Sequence, residues 1–141
     1  KMNPWIQPLY DIFIDEQSKA ELNSMLKSGK IEIVPIGFMR GRTFTDTYVI
    51  ADEMQNASPG QMKMILTRLG ENSKIVVTGD TSQCDLELSE NGLDNLLKLL
   101  KKYYENTYEM YGDNIGIIEM NSEDIKRNIF VKKIIDVYSS S

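Results

Sequence analysis

The chain has 141 residues, 41% of them hydrophobic, and a formal net charge of −5; this suits one domain with a sizeable core and excludes a globally basic nucleic-acid footprint, leaving only a local basic groove open. It contains no histidine and a single cysteine, Cys84, which excludes histidine catalysis, histidine metal sites and an internal disulfide framework, and makes a reducing, cytoplasmic setting the expectation. No apolar run approaches the roughly 20 residues of a membrane span, no signal peptide is visible, and the start Lys1-Met2-Asn3-Pro4 reads as a piece beginning inside a longer protein.

Residues 5–14 and 16–27 read as two helices, the first with Ile6, Leu9, Tyr10 and Phe13 on one face. Gly29 closes this lead-in of residues 1–28, and residues 31–34 (Ile-Glu-Ile-Val) are strand-like before Pro35. Residues 48–51 (Tyr-Val-Ile-Ala) are a short unbroken apolar run, the pattern of a strand buried on both faces in a parallel sheet. A helix start follows: Ser58 as N-cap, Pro59 in the first turn, Gln61 closing a capping box. Met62, Ile65, Leu66 and Leu69 make its apolar stripe and Gly70 its stop. Residues 75–77 (Ile-Val-Val) give a second buried strand, so that residues 30–86 predict a right-handed βαβ core of an α/β domain. In residues 87–141, Leu93, Leu96, Leu97 and Leu100 predict an amphipathic helix, residues 115–118 a third parallel strand, and residues 129–138 a closing helix with Asn128 as N-cap. Met54, Met62 and Met64 read as core filling, Cys84 as packing, and Tyr103 and Tyr104 as core and helix surface rather than base-stacking platforms.

Four features carry chemistry. Asp52-Glu53 stands at the carboxyl end of the first buried strand, where open α/β sheets bind ligands. One carboxylate there suits Mg²⁺ held through water, the next a water that attacks a phosphoryl group, which is the Walker B arrangement; the plainer reading is a strand running into an acidic loop. Gly79-Asp80-Thr81-Ser82-Gln83 ends the next strand, placing a carboxylate and an amide beside Asp52 and Glu53, unless it is an ordinary polar turn. Arg40 and Arg42 flank Gly41 ahead of the first strand; guanidinium groups grip phosphates bidentately, and the alternative is a solvated loop with a pair to Asp46. Arg127, before the last helix, suits an arginine finger or a solvated helix-end charge beside Lys126.

The stretch from Ile31 to Leu86 contains MRGRT, DEMQN, QMKM, LTRLG and TGDTSQ-DL, and in combination these resemble the PhoH family of P-loop ATPases. The outer segments PWIQPLYDIF, NGLDNLL and EDIKRNIFVKKIIDVY resemble it too, so the likeness covers nearly the whole chain. Met54 stands where the family prefers alanine, and Asn128-Ile129 replaces a usual His-Pro, leaving Arg127 in place. The resemblance implies a RecA-like P-loop NTPase fold, a three-layer sandwich around a mostly parallel sheet, related to superfamily-1 helicase cores. It implies ATP and Mg²⁺ as ligands, with Asp52 toward Mg²⁺ through water, Glu53 toward the attacking water, and Asp80 and Gln83 coupling nucleotide state to a partner. It further implies ring-shaped homo-oligomers, hexamers among them, in which Arg40, Arg42 or Arg127 reaches a neighbour's nucleotide, and work on RNA or DNA.

No G-x-x-x-x-G-K-[ST] occurs in these residues. The phosphate cradle is therefore expected from elsewhere, the sheet is expected to be incomplete at the P-loop strand, and the isolated chain is expected to bind ATP weakly and to be inactive. Two other function classes stay open: a catalytically inactive domain that scaffolds a partner, and a metal-dependent nuclease using Asp46, Asp52, Glu53 and Asp80.

Overall fold

The computed structural model describes residues 18–84, 91–104, 107–121 and, beyond them, 124, 130, 131, 133, 134 and 137. The chain divides into two compact units, Lys1–Leu96 and Leu97–Ser141.

In the first unit, helix α1 (Lys19–Lys27) starts at Ser18, whose side chain accepts from the Glu21 N–H. It ends where Lys30 and Ile31 turn their N–H groups back onto the Met25 carbonyl. The next segment corrects the sequence reading, because residues 31–34 form no strand. Its first N–H is spent on α1 and Pro35 has none to offer, so the chain passes into a 3₁₀ turn, Ile36–Met39, that buries Met39.

Strand β1 (Tyr48–Ala51) and strand β2 (Lys74–Val77) pair in parallel with Tyr48 opposite Lys74 and Ala51 opposite Val77. Between them runs helix α2 (Pro59–Leu66), set by the capping box read from the sequence: Ser58 Oγ accepts from the Gln61 N–H while Gln61 Oε1 accepts from the Ser58 N–H. This is an α/β fold with a small parallel sheet. Met62 and Ile65 of α2 are buried, and the helix packs on the 3₁₀ turn. α2 stops at Leu66, earlier than the apolar stripe implied. The Thr67 hydroxyl bonds back to the Lys63 and Met64 carbonyls, a local competition that favours a terminus. Leu69 lies past the helix and bridges Phe44 instead.

The strands differ from the reading in one respect. Burial alternates along β1, with Tyr48 63% and Ile50 57% exposed while Ala51 is buried. One sheet face is thus covered, and the other, carrying Tyr48, Ile50 and Val76, is open. At the amino end of the sheet, Ser73 Oγ donates to the Phe44 carbonyl and accepts from the Thr47 N–H, fixing the entry into both strands.

Helix α3 (Gly92–Tyr103) forms as its leucine spacing predicts, with Leu93 buried. The second unit takes over within it and continues through helix α4 (Thr107–Gly112). There Met110 is buried and the Tyr104 hydroxyl donates to Asp113 at 2.7 Å, which pushes the Tyr104 pKa up to about 12. Residues 115–118, expected as a third strand, join no ladder. The Ile115 N–H returns to the Met110 carbonyl, closing α4, and Ile118 is exposed, so the segment extends no sheet. Of the closing helix, Phe130, Val131, Lys133, Ile134 and Val137 are helical; Asn128 and the early helix of residues 5–14 lie outside the described residues. Among the described residues no helix is long and apolar enough to cross a membrane.

Candidate functional site

Both strands end at the same level, and the segments leaving them are tied together. The Thr78 N–H donates to the Ala51 carbonyl at 2.9 Å, and the Met54 N–H donates to the Thr78 carbonyl at 3.0 Å, extending the parallel ladder past the strands. The Thr78 hydroxyl donates to Asp52 Oδ1 at 2.5 Å. The Asp52 carboxylate is therefore aimed by its neighbour strand, and its Oδ2 accepts no hydrogen bond among the described residues.

Glu53 adopts a left-handed backbone, φ 55 and ψ 36. For a residue with a Cβ this costs about 1–2 kcal/mol, and such strain gathers at functional sites. It turns the chain sharply from β1 into a 3₁₀ turn, Met54–Asn56, whose Met54 and Gln55 side chains go inward.

Gln55 was not singled out by its sequence position. It is 2% exposed, and its amide is used at both ends. Nε2 donates to Glu53 Oε2 at 2.5 Å, and Oε1 accepts from the Asp80 N–H at 3.1 Å. Its backbone carbonyl accepts from the Cys84 thiol at 3.1 Å, so Cys84 ties the loop after β2 to this turn. Gly79 makes room for the bridge: a Cβ there would lie 2.5 Å from Gln55 Oε1 and 2.9 Å from Leu93 Cδ2. The one signal for Gln55 in the sequence is its place in the string Asp52-Glu53-Met54-Gln55; that a polar side chain is buried there is a tertiary fact.

Asp80 is gathered by its own loop. Its Oδ1 accepts from the Ser82 hydroxyl at 2.6 Å and the Ser82 N–H at 2.9 Å, and its Oδ2 from Gln83 Nε2 at 2.8 Å. These donors, the Ser82 hydroxyl first, hold the Asp80 carboxyl below the usual carboxylate range against a raising effect of partial burial. Gln83 Nε2 is engaged within its own loop, and the tie between this loop and Asp52-Glu53 runs through Thr78 and Gln55.

The arginine loop is built differently. Arg42 pairs with Glu32, not with Asp46, through Nη1 to Oε1 at 2.9 Å and Nη2 to Oε2 at 2.7 Å. It also lies over the Phe44 ring, 5.9 Å from its centroid. The Arg42 hydrogen bonds hold the Glu32 carboxyl below its ordinary value, with desolvation opposing. Asp46 instead accepts from Asn72 Nδ2 at 3.0 Å. Arg40 is exposed just beyond the buried Met39. Arg127 lies outside the described residues.

Asp52 and Glu53 offer hard oxygen donors at a strand end, which suits Mg²⁺ retaining several waters. Among the described residues no three acidic, cysteine or histidine side chains come together as a metal cluster. Asp46 is drawn off by Asn72, near the amino end of β2, which counts against the nuclease reading.

A family model described as "PhoH-like protein" matches residues 1–139. The chain is 42% identical to a PhoH-like protein of Bacillus subtilis (strain 168) over 98% of its length and 41% of that protein's. It is 37% identical to a PhoH-like protein of Synechocystis sp. over its full length and 40% of the relative. To Protein PhoH of Escherichia coli (strain K12) it is 36% identical over 99% of its length and 38% of that protein. The chain spans about two fifths of the length of these relatives.

Proposed function

Since the chain belongs to the PhoH-like family, we propose that it supplies the Walker B and GD-x-x-Q half of a cytoplasmic ATPase site, whose phosphate-binding loop comes from outside these residues. The observation that carries the reading is the joint strand-end geometry. Asp52 and Glu53 leave β1, Gly79 and Asp80 leave β2, and Thr78 and Gln55 bind the two exits to one another. An acid suited to the metal and an acid suited to the attacking water, both leaving β1 and tied to the loop after β2, are what hydrolysis of a nucleotide asks of this half of a site.

Asp52 would hold Mg²⁺ through water, and the ion when bound supplies charge neutralisation at the nucleotide phosphates. Glu53 orients the attacking water and accepts its proton; the left-handed backbone and the Gln55 amide fix where its carboxylate stands. Asp80 and Gln83 form the loop that responds to nucleotide state, and Arg40, Arg42 or Arg127 reaches a neighbouring subunit's phosphates in a ring. The work coupled to hydrolysis is remodelling of RNA or DNA.

The test uses the full-length protein. Glu53→Gln keeps ATP binding and lowers hydrolysis by about 10²–10⁴-fold, the usual contribution of a general base. Turnover within about threefold of the parent would remove Glu53 from the chemistry and sink the ATPase assignment of this site, since a general base contributes far more than that.

A further inference from the structure

Glu53 is the one acidic side chain of the site whose position is set by a residue on its own turn that also holds the opposite loop. Gln55 is buried, so its amide cannot trade its partners for bulk water, and both ends are committed, to Glu53 Oε2 and to the Asp80 N–H. Gly79, directly before Asp80, lies so close that an added methyl would strike Gln55 Oε1 at 2.5 Å. The Asp80 peptide therefore cannot shift toward the turn without pushing the amide, nor away without breaking its 3.1 Å bond. The Asp80 carboxylate in turn is closed by the Gln83 amide and the Ser82 hydroxyl. A continuous chain of contacts thus runs from Gln83 through Asp80 and Gln55 to Glu53.

We propose that Gln55 is a positioning residue that transmits the state of the 79–83 loop to the Glu53 carboxylate, making the alignment of the water-activating group conditional on that loop. The role rests on the ATPase reading above and adds the regulation of that same site. When the loop holds the geometry seen here, the amide keeps Glu53 in one orientation. When nucleotide or a partner draws Gln83 and Asp80 away, the amide is released and Glu53 turns with it.

The experiment measures steady-state ATP hydrolysis by the full-length protein and two variants. Gln55→Met keeps the volume and loses both bonds. Gln55→Glu keeps an acceptor for the Asp80 N–H and replaces the donor to Glu53 with a carboxyl that repels Glu53 or takes up a proton shared with it. Both are expected to lower kcat by about 10–100-fold, the range for removing a hydrogen-bond partner that orients a group at a metal site, with KM for ATP within about threefold of the parent. Gln83→Ala is expected to lower kcat in the parent background and to add almost nothing in the Gln55→Met background, because the path is already cut. A change of packing alone would instead leave the two effects multiplying. Thermal melting of each variant checks folding; if Gln55→Met loses its cooperative transition, Gln55→Glu carries both comparisons. Parental kcat in a folded Gln55 variant, a change confined to KM, or multiplying effects would each overturn the role. If Glu53→Gln abolishes turnover while the Gln55 variants do not alter it, only this role falls. If Glu53→Gln leaves turnover intact, or the full-length protein turns over no ATP, the ATPase reading falls and this role with it.

Discussion

The loops leaving β1 and β2 and the loop carrying Arg40 and Arg42 both hold charged groups of the proposed ATP site, yet they are built on opposite principles. The strand-end loops are tied by bonds between segments distant in sequence: Thr78 to Asp52, Gln55 to Asp80, Cys84 to Gln55. The arginine loop is held by a buried anchor, Met39, and an exposed pair to Glu32, while Arg40 extends outward. Groups that must meet a reacting atom need a scaffold that fixes them to within about 0.5 Å. A long arginine on a loop fits the different task proposed for it, reaching a phosphate outside its own chain's site.

That contrast breaks most sharply in mixed oligomers. Arg40→Ala in the full-length protein is expected to lower turnover by about 10³-fold, the lower end for an arginine finger. Mixing it with Glu53→Gln is expected to recover part of the activity, because one subunit supplies an intact acid and its neighbour an intact arginine. Two Glu53 and Gln83 variants, damaged on the same side of the interface, are expected to give no such recovery. Verified mixed oligomers of Arg40→Ala and Glu53→Gln that stay inactive would place Arg40 in its own subunit's site or out of the chemistry.

The next effect is on stability. Gly92 opens α3 against the 3₁₀ side of the site, where an added Cβ would lie 2.6 Å from the Ala57 carbonyl oxygen and 2.7 Å from that of Ser58. Gly37, in the turn that leads to Arg40, has nothing within 4 Å of an added Cβ. Gly92→Ala is expected to destabilise by about 1–3 kcal/mol, the range for overpacking a tight contact. Gly37→Ala is expected to stay within about 0.5 kcal/mol, as open surface changes do. Urea denaturation of the two variants side by side measures both. Equal midpoints would show that the site side is no more tightly packed than the arginine loop.

How much of this could be read from the residues follows the same division. β1, α2, β2 and α3 were legible because each rests on a local signal: an unbroken apolar run, the Ser58–Gln61 capping box, leucines at helical spacing. Asp52, Glu53 and Asp80 could be placed because strand ends are set by where those runs stop. Residues 31–34 and 115–118 form no strand because β character is decided by a partner, and the first N–H of each segment instead closes α1 or α4. The pair to Asp46 that stood as the alternative for the arginine loop fails for a similar reason: Asp46 is nearer to Arg42 in sequence, but Glu32 is what the turn through Met39 brings within reach. The burial of Gln55 is not legible, because nothing local distinguishes a glutamine buried between two loops from one facing water.

The smallest expected effect separates the two regions by the origin of their charge stabilisation. Asp80 and Glu32 both have carboxyls held below the ordinary range, Asp80 chiefly by the Ser82 hydroxyl and N–H, Glu32 chiefly by Arg42. For either acid the folded-state pKa lies below the unfolded value of about 4, so the folded chain binds fewer protons and the group stabilises it above that pH. The contribution is then lost as pH falls through the depressed folded value. Comparing the parent with Asp80→Asn, and separately with Glu32→Gln, cancels the carboxylates they share. In each comparison the parent's advantage in urea midpoint is expected at neutral pH and to shrink below about pH 4. Salt distinguishes them. The donors at Asp80 are neutral and short, so its advantage is expected to survive about 0.5 M salt. The exposed Glu32–Arg42 pair is a charge pair open to ions and is expected to lose most of its advantage there. Asp80→Asn and Glu32→Gln responding alike to salt would show that the site loop owes its carboxylate geometry to distant charge rather than to the hydrogen bonds of Ser82 and Gln83.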